Sequence, residues 1–462
     1  MTHPPQAADP AELATFLTAH PAIAFVDLFF TNLSGVARGK RLRRGDLGQA
    51  YASGVHLPGS IAVVDVTGLD LDEPEIWPDG DADRLAWPVA GTLTPAPWLG
   101  PDAAQAMLGL YELDGSGCDL DPRAILQAVL DRFTADGLNP VIACELEFTL
   151  LDAERTAAGG VQQRLGSDGQ RTAQPQVFGL DADAIAEDYL KALWSACDAI
   201  GVPAGTAIAE YAPGQLELTL AHRPDSVAAC DDAVRFKRAA KGVAAAHGHA
   251  ATFMAKPFEA QPGSGLHLHI SVLDRDGHNI FAADAAEGSP ALRHAIGGAC
   301  ELMGDAMAIF APNANSYRRF AQPSHTPARA GWGLNSRTVA IRVPPGPAAS
   351  RRLEHRVSGA DANPYLAAAA ALAGIHHGLT NRIDPGPPAV VRAFEGDGDA
   401  GTGERLPSDW AYAIERGARS RLLRDYLGAR VVDIYTAVKR GEQARFNAAV
   451  PPLDYDWLLR SA

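Results

Sequence analysis

The stretch Cys144-Glu145-Leu146-Glu147-Phe148 places two carboxylates two residues apart within an otherwise apolar segment. Side chains at i and i+2 of a β-strand point to the same side of the sheet, so Glu145 and Glu147 are expected to share one face. An unpaired carboxylate is costly to bury, and a divalent metal ion would balance both charges. The alternative is a solvent-facing edge strand, which the apolar flanking residues disfavour.

A second acidic pair lies within residues 210–217, where Glu210 and Glu217 bracket a Pro213-Gly214 turn. A proline followed by glycine is typical of a tight turn, which would fold the two glutamates toward each other. This pattern predicts four carboxylates in similar settings.

The Gly263-Ser264-Gly265 segment leads into a predicted strand with His267, His269 and Ser271 on one face. Imidazole beside carboxylate is a common metal-ligand combination. A histidine pair alone is weak support, because surface strands often carry one, and His247 and His249 form a similar pair at a predicted helix end. The glycine turn and the apolar alternation favour the first pair.

Arg352, Glu354 and Arg356 alternate along a further predicted strand. Other arginines of interest are Arg318, Arg319, Arg337 and Arg342. Guanidinium groups pair with phosphate and carboxylate oxygens in a bidentate manner, although surface ion pairs are the simpler interpretation. Metal ions held by glutamates, with arginines opposite, would suit phosphoryl transfer from ATP, which depends on charge neutralisation and positioning.

The chain has 462 residues, of which 47% are hydrophobic, and this composition predicts a globular protein with two domains. Residues 51–113 are rich in Gly, Pro and Asp with short strand patterns, including 61–66 and 107–113, and residues 1–115 are predicted to form a small β-rich domain. Residues 116–462 mix strands with Ala-rich helices, including 226–246 and 289–310. The mixture predicts an α+β fold with a domain boundary near residue 115.

Net charge and cysteine usage exclude several classes of function. A net charge of −15 disfavours a nucleic-acid surface, and no apolar run is long enough to cross a membrane. The five cysteines form no C-x-x-C pair, and the N-terminal residues lack a signal-peptide pattern, so a cytoplasmic location is expected. The segment 35–40 superficially resembles a phosphate loop but lacks its Ser or Thr.

The ordered motifs resemble the glutamine synthetase family from about residue 26 to near the C-terminus. The motifs are Glu145-x-Glu147, Glu210 with Gly214-Gln215-x-Glu217, Lys256-Pro257, Gly263-Ser264-Gly265-x-His267-x-His269, Asn315-Ser316-Tyr317-Arg318-Arg319, Arg352-x-Glu354-x-Arg356 and Asn363-Pro364-Tyr365. The resemblance implies a small β-grasp N-terminal domain, a catalytic domain with a curved antiparallel sheet and helices, and a dodecamer with active sites between subunits.

The resemblance also implies roles for individual residues. Those matching metal ligands are Glu147, Glu210 and Glu217 for a first ion, and Glu145, His267 and Glu354 for a second, with Mg²⁺ or Mn²⁺ as the metal. Those matching ATP contacts are His269, Ser271, Arg342 and Arg352, with Arg337 at the transferring phosphoryl group. Those matching glutamate contacts are Gly263, Arg319 and Arg356. The implied reaction phosphorylates the γ-carboxylate of L-glutamate and lets an amine attack the acyl phosphate.

Two departures from the family pattern concern the ammonium site. His325 stands where glutamine synthetases carry a flap glutamate, and Pro58 stands near the position of an N-terminal-domain aspartate. The sequence instead resembles the γ-glutamylpolyamine and γ-glutamylamide synthetases, which predicts an organic amine acceptor and a catalytic role for His325. Because residues 57–64 and 320–326 contain no carboxylate, a small amine such as ethanolamine is favoured over a polyamine. Ordinary glutamine synthetase and a non-catalytic relative are the alternatives.

Overall fold

The structure is a computed structural model that describes residue 4 and residues 6–70, 80–171, 174–181, 183–321, 326–389 and 403–462. The described strands form two sheets, one from the first 111 residues and one from residues 139–355. Helices cover the second sheet and make up most of the chain after residue 363. The predicted α+β class is confirmed, while the predicted boundary between residues 115 and 116 stays a prediction.

The N-terminal sheet has six strands in the order β2-β1-β6-β4-β3, with β5 paired to β6. Its strands are β1 (Phe25–Thr31), β2 (Ala37–Arg43), β3 (Val55–Pro58), β4 (Asp83–Pro88), β5 (Thr94–Pro95) and β6 (Ala103–Tyr111). β1 and β2 form an antiparallel hairpin, and β1 also runs parallel to β6. Lys40 Nζ donates to His56 O at 2.7 Å, which joins the two edge strands and shows that the sheet is curled. This agrees with the predicted β-grasp domain.

The predicted strand over residues 61–66 is wrong. The chain there forms a single 3₁₀ turn, Gly59–Ala62, followed by irregular backbone. Side chains satisfy this backbone instead of a neighbouring strand: Asp81 Oδ1 accepts from Ser60 N at 2.6 Å, and Asn32 Nδ2 donates to Val64 O at 2.7 Å. Partners this distant in sequence are not visible in local periodicity.

The second sheet has eight strands in the order β12-β13-β14-β11-β7-β9-β8, with β10 also paired to β7. Its strands are β7 (Asn139–Asp152), β8 (Ala204–Ala209), β9 (Gln215–Leu220), β10 (His249–Thr252), β11 (Leu266–Leu273), β12 (Trp332–Leu334), β13 (Ile341–Val343) and β14 (Leu353–His355). All pairings are antiparallel except that of β12 with β13. The central strand β7 carries the first acidic pair.

The helices pack the core against this sheet. They are α1 (Pro10–Ala19), α2 (Leu47–Ser53), α3 (Pro122–Ala135), α4 (Glu187–Ala199), α5 (Ser226–Ala246), α6 (Pro290–Met303), α7 (Met307–Phe310), α8 (Ala314–Tyr317), α9 (Pro364–Asn381), α10 (Trp410–Arg419), α11 (Arg421–Leu427), α12 (Ala429–Ala448) and α13 (Pro452–Leu458). Asp121 and Asp225 cap α3 and α5 by accepting from backbone N–H groups. Among the described residues, no helix has the length and apolar character needed to cross a membrane.

The predicted helix over residues 289–310 is divided into α6 and α7. Gly304 ends α6, and the Arg416 guanidinium lies only 2.6 Å from where a Cβ at that glycine would be. Arg416 Nε also binds Asp305 Oδ1 at 2.7 Å. The break is therefore set by a side chain from α10, which the local helical pattern could not reveal.

Candidate active site

Strand pairing brings the two predicted acidic and histidine motifs face to face. In the antiparallel register of β7 and β11, Glu145 lies opposite His267, and in that of β7 and β9, Glu147 lies opposite Glu217. Glu354 on β14 lies opposite His269 on β11. Directly opposed residues share a face of the sheet, so the alternation predicted from sequence converges on one surface.

The first group consists of Glu145, His267 and Glu354. One ligand atom from each lies within 4.8 Å of the others. His267 Nδ1 is 3.2 Å from Glu145 Oε2 and 3.9 Å from Glu354 Oε1. These are the three residues predicted to bind one of the two metal ions.

The second group consists of Glu147, Glu217 and His267, again with ligand atoms within 4.8 Å of one another. Glu147 Oε2 also accepts from Gly265 N at 2.7 Å, which ties this carboxylate to the glycine turn. The predicted third member, Glu210, follows β8 and lies outside this tight group. It is close enough for the charge on Glu147 to act on it.

The cationic side chains near this face neutralise its carboxylates only in part. Burial and the neighbouring Glu147 raise the pKa of Glu210 to about 7. Burial and the three other carboxylates raise the pKa of Glu217 well above its usual range. A divalent cation would remove this repulsion and let both groups ionise, so the donor set fits the predicted metal ions.

The remaining two carboxylates have cationic neighbours. Burial opposes ionisation of Glu145, but hydrogen bonds with His267 and His269 hold its pKa below the usual range. Burial likewise opposes ionisation of Glu354, while Arg356 and the two histidines lower its pKa to about 2. Both glutamates are therefore anionic near neutral pH.

Glu354 lies at the centre of an arginine pair. Arg342 Nη1 donates to Glu354 Oε2 at 2.7 Å, and Arg356 donates to Oε1. Sequence reasoning placed Arg342 at the phosphates and Arg356 at the glutamate substrate. In the structure each guanidinium contacts this carboxylate, whose side chain is only 1% exposed.

The other residues predicted to contact ATP border the same face. His269 Nε2 is 2.8 Å from Glu145 Oε1, and Arg352 Nε donates to His269 Nδ1 at 3.1 Å. Ser271 lies two residues further along β11 and is half-buried. Arg337 is exposed in the turn before β13, and its charge acts on Glu210.

The predicted glutamate-binding residues Gly263 and Arg319 are in close contact. A Cβ at Gly263 would lie 2.6 Å from Arg319 Cγ and 2.4 Å from Ala255 O, so only glycine fits here. Arg319 is 5% exposed and donates to Val357 O at 3.1 Å. The close packing leaves this guanidinium at the edge of the glycine turn. His325, the predicted catalytic residue of the flap, lies outside the described residues.

Gln215 links the parts of the site, a role that sequence reasoning did not assign. Its Nε2 donates to Gly263 O at 3.0 Å, to Ser264 Oγ at 3.2 Å and weakly to Glu147 Oε2 at 3.4 Å. Its position beside the Pro213-Gly214 turn was the available signal. Gln215 therefore connects the acidic face to the turn that holds Arg319.

Asp361 is a second residue whose position was not predicted. Its Oδ2 accepts from Asn313 Nδ2 at 2.7 Å and from Ser316 Oγ at 2.6 Å. These contacts anchor the short helix α8, which leads directly into Arg319.

Comparison with known proteins agrees with this geometry. Residues 119–458 match the family model described as glutamine synthetase, catalytic domain. The chain belongs to the glutamine synthetase family. The gamma-glutamylputrescine synthetase of Escherichia coli is 37% identical over 98% of this chain and 95% of its own length. The gamma-glutamylethanolamide synthetase of Streptomyces coelicolor is 31% identical over 96% of this chain and 93% of its own length.

Within the glutamine synthetase family, these relatives place the chain in the glutamate–amine ligase branch, whose members use ATP. The solved structure of the GmaS/ADP complex superimposes with a TM-score of 0.84 at 28% identity, covering 97% of this chain and 99% of that one. The predicted family, fold class and enzyme class are confirmed.

Proposed function

We propose that this protein joins an organic amine to the γ-carboxylate of L-glutamate through a γ-glutamyl phosphate intermediate formed from ATP. The observation that carries the proposal is the convergence of Glu145, Glu147, Glu217, His267 and Glu354 on one face of the sheet. Such a surface suits a reaction in which a triphosphate and a carboxylate approach each other.

Two divalent ions, Mg²⁺ or Mn²⁺, would be held by the two predicted ligand groups. Glu145, His267 and Glu354 would hold one ion, and Glu147, Glu217 and Glu210 the other. When bound, the ions supply neutralisation of phosphate and carboxylate charge. His267 touches both groups, since its Nε2 is 3.9 Å from Glu147 Oε1, and it would keep the two groups at a fixed spacing.

Arginine side chains would neutralise the charge of the phosphates. Arg352, next to His269, and Arg342 would contact the nucleotide phosphates, with Ser271 further along the strand. The exposed Arg337 would move toward the transferring group, because its guanidinium is free of the tight packing that fixes Arg356. Planar guanidinium groups suit this task because they bind phosphate oxygens in a bidentate manner.

The glutamate substrate would lie against the glycine turn at Gly263, with its carboxylates near Arg319 and Arg356. Phosphorylation of the γ-carboxylate makes phosphate the leaving group, and the free amine then attacks the acyl carbon. An alkylammonium ion must lose a proton before attack. His325 is our candidate acceptor of that proton.

The acceptor is proposed to be an organic amine of the ethanolamine or polyamine type. The preference for a neutral-tailed amine depended on residues 57–64 and 320–326 containing no carboxylate. Asp81, from outside these segments, brings a carboxylate to the first of them, because its two oxygens accept from Ser60 N at 2.6 Å and Ser60 Oγ at 2.9 Å. The relative named for putrescine supports including diamines among the acceptors.

Two further proposals concern the whole assembly. A dodecamer with active sites shared between neighbouring subunits is supported by exposed apolar side chains on α13, such as Leu453, Trp457 and Leu458. A cytoplasmic location is supported by the five free cysteines.

Amine-dependent ADP release tests the proposed function. With ATP, Mg²⁺ and glutamate, putrescine or ethanolamine should stimulate release strongly and ammonium weakly. Stimulation by ammonium alone would favour ordinary glutamine synthetase. A lack of response to every amine would favour a non-catalytic relative.

A further inference from the structure

A cavity of about 570 Å³ lies between the N-terminal hairpin and the helices of the second sheet. None of the predicted metal, ATP or glutamate ligands lines it, although Asn313 and Asp361, which anchor α8, do. Its wall is formed by the turn at residues 34–36, by α5, by residues 252–254, by α8 and by α12. Cavities of this size commonly bind small molecules.

Two lysines dominate the charge of the wall. Lys237 and Lys241 lie one turn apart on α5, and their ammonium groups are 5.5 and 5.7 Å from the centre of the same Phe253 ring. Lys237 Nζ donates to two neutral acceptors, Ala360 O and Ala362 O. Among the described residues, Lys241 has no hydrogen-bond or ion-pair partner. Two like charges at this spacing repel each other.

The acidic groups of the wall are occupied by other partners. Glu442 accepts from Lys439 Nζ at 2.8 Å and from Val66 N at 2.9 Å. Arg445 is paired with Asp65. Asp361, held by α8, partly offsets the charge of Lys237 but has no comparable effect on Lys241. The wall therefore carries an excess of positive charge near the two lysines.

Both lysines line the cavity. Each retains accessible surface, half-buried for Lys237 and exposed for Lys241. Loss of solvent lowers the pKa of both, and repulsion from Lys241 contributes to bringing that of Lys237 to about 7. An anion in the cavity would stabilise their charged forms.

The rest of the wall is mainly apolar, with Val36, Phe253, Met254 and Phe446 among its members. We propose that this cavity binds a small organic anion, a carboxylate or a phosphate ester, with its charged end at Lys237 and Lys241. Its apolar body would pack against Phe253, Met254 and Phe446.

A ligand bound in the cavity would affect the substrate site through α8. Ala314 and Asn315 line the cavity, and the Asn315 side chain hydrogen-bonds both the N and the O of Lys256 at 2.9 Å. Arg319 follows α8 directly. An anion in the cavity would therefore alter the KM for glutamate, a consequence that rests on the proposed function, whereas binding itself does not.

Calorimetric titration tests the site with hexanoate and hexyl phosphate as anionic probes and hexan-1-ol as the uncharged control. ADP and glutamate are left out because both are organic anions that could occupy the cavity, and the difference between the native chain and Lys241→Met separates binding in the cavity from binding at the arginines of the active site. We expect both anions to bind and hexan-1-ol not to bind. The anion that binds more tightly identifies the source chemistry as carboxylate or phosphate.

The variant Lys241→Met should weaken anion binding about tenfold or more, because a charge-assisted contact is lost. Lys191→Met, on the exposed face of α4, is the matched control and should leave binding unchanged. Equal binding by Lys241→Met and the native chain, equal binding of hexan-1-ol, or no anion binding would overturn the proposal. Since these titrations need no turnover, an inactive enzyme that binds anions would refute the proposed reaction alone.

Discussion

Gly263→Ala adds one methyl group to the site, and it should weaken glutamate binding more than a methyl group added at any other position of the site. The new Cβ would lie 2.4 Å from Ala255 O and 2.6 Å from Arg319 Cγ, both far inside van der Waals contact. The Ala255 carbonyl oxygen accepts from Ser264 N, so relieving both contacts requires the backbone of the glycine turn as well as the arginine side chain to move. Overpacking of this kind costs about 1–3 kcal/mol of folding free energy.

Displacement of Arg319 carries a second, separate cost. A hydrogen bond from a charged group contributes about 1.5–3 kcal/mol, so losing its contact to the substrate should raise the KM for glutamate about ten- to hundredfold. Steady-state ADP release against glutamate concentration measures this effect, and thermal unfolding measures the stability loss. The KM for ATP should change little.

The matched control is Gly48→Ala on α2, where no atom lies within 4 Å of the new Cβ. It should leave the KM unchanged and stabilise the helix by about 0.5–1 kcal/mol. If Gly263→Ala loses stability but keeps the native KM for glutamate, Arg319 does not contact that substrate and the assignment is wrong.

Three further predictions concern the acidic face and the flap. Glu217→Gln should raise the melting temperature of the metal-free protein by relieving repulsion and should weaken Mg²⁺ binding; a lower metal-free melting temperature would contradict the crowding inferred here. Because the folded-state pKa values of Glu210 and Glu217 are raised above 4.5, the stability that these two groups contribute to the metal-free protein should be fully present below about pH 4.5 and be lost as the pH rises through about 7 and beyond. Saturating Mg²⁺ should reduce this loss in calorimetric scans. His325→Glu should shift the ratio of kcat/KM toward ammonium over organic amines, while His325→Ala should keep amine activity at a reduced rate; an unchanged ratio would place the acceptor site elsewhere.

Sequence reasoning located the acidic face because that face depends on short-range periodicity. The i, i+2 spacing of Glu145 and Glu147, and of His267 and His269, fixes a common side of each strand whatever the partners are. Because β7 and β11 are neighbours in one sheet, the strand register alone then decides which glutamate lies opposite which histidine. The turn at Gly214 was equally local, with a φ of 74° that glycine adopts at little cost.

The features that were not predicted depend on contacts between distant parts of the chain. The Asp81 side chain binds the backbone at Ser60, beside the segment where a strand was predicted, and the Arg416 side chain packs at Gly304, where one long helix was predicted. Each contact joins residues that are far apart in sequence, and local periodicity carries no information about such pairs. The pairing of Arg342 with Glu354 was missed because the family resemblance assigned both residues to ligands. In the structure, the two charges neutralise each other.

The most direct test of the central claim is product identification by mass spectrometry in a competition reaction. The full-length protein would receive ATP, Mg²⁺, L-glutamate and equal concentrations of ammonium and putrescine, with ethanolamine replacing putrescine in a parallel reaction. A γ-glutamylamide of the organic amine should be the main product, with fragmentation placing the new bond at the γ-carboxylate. Glutamine as the main product in both reactions would contradict the claim that the acceptor is an organic amine.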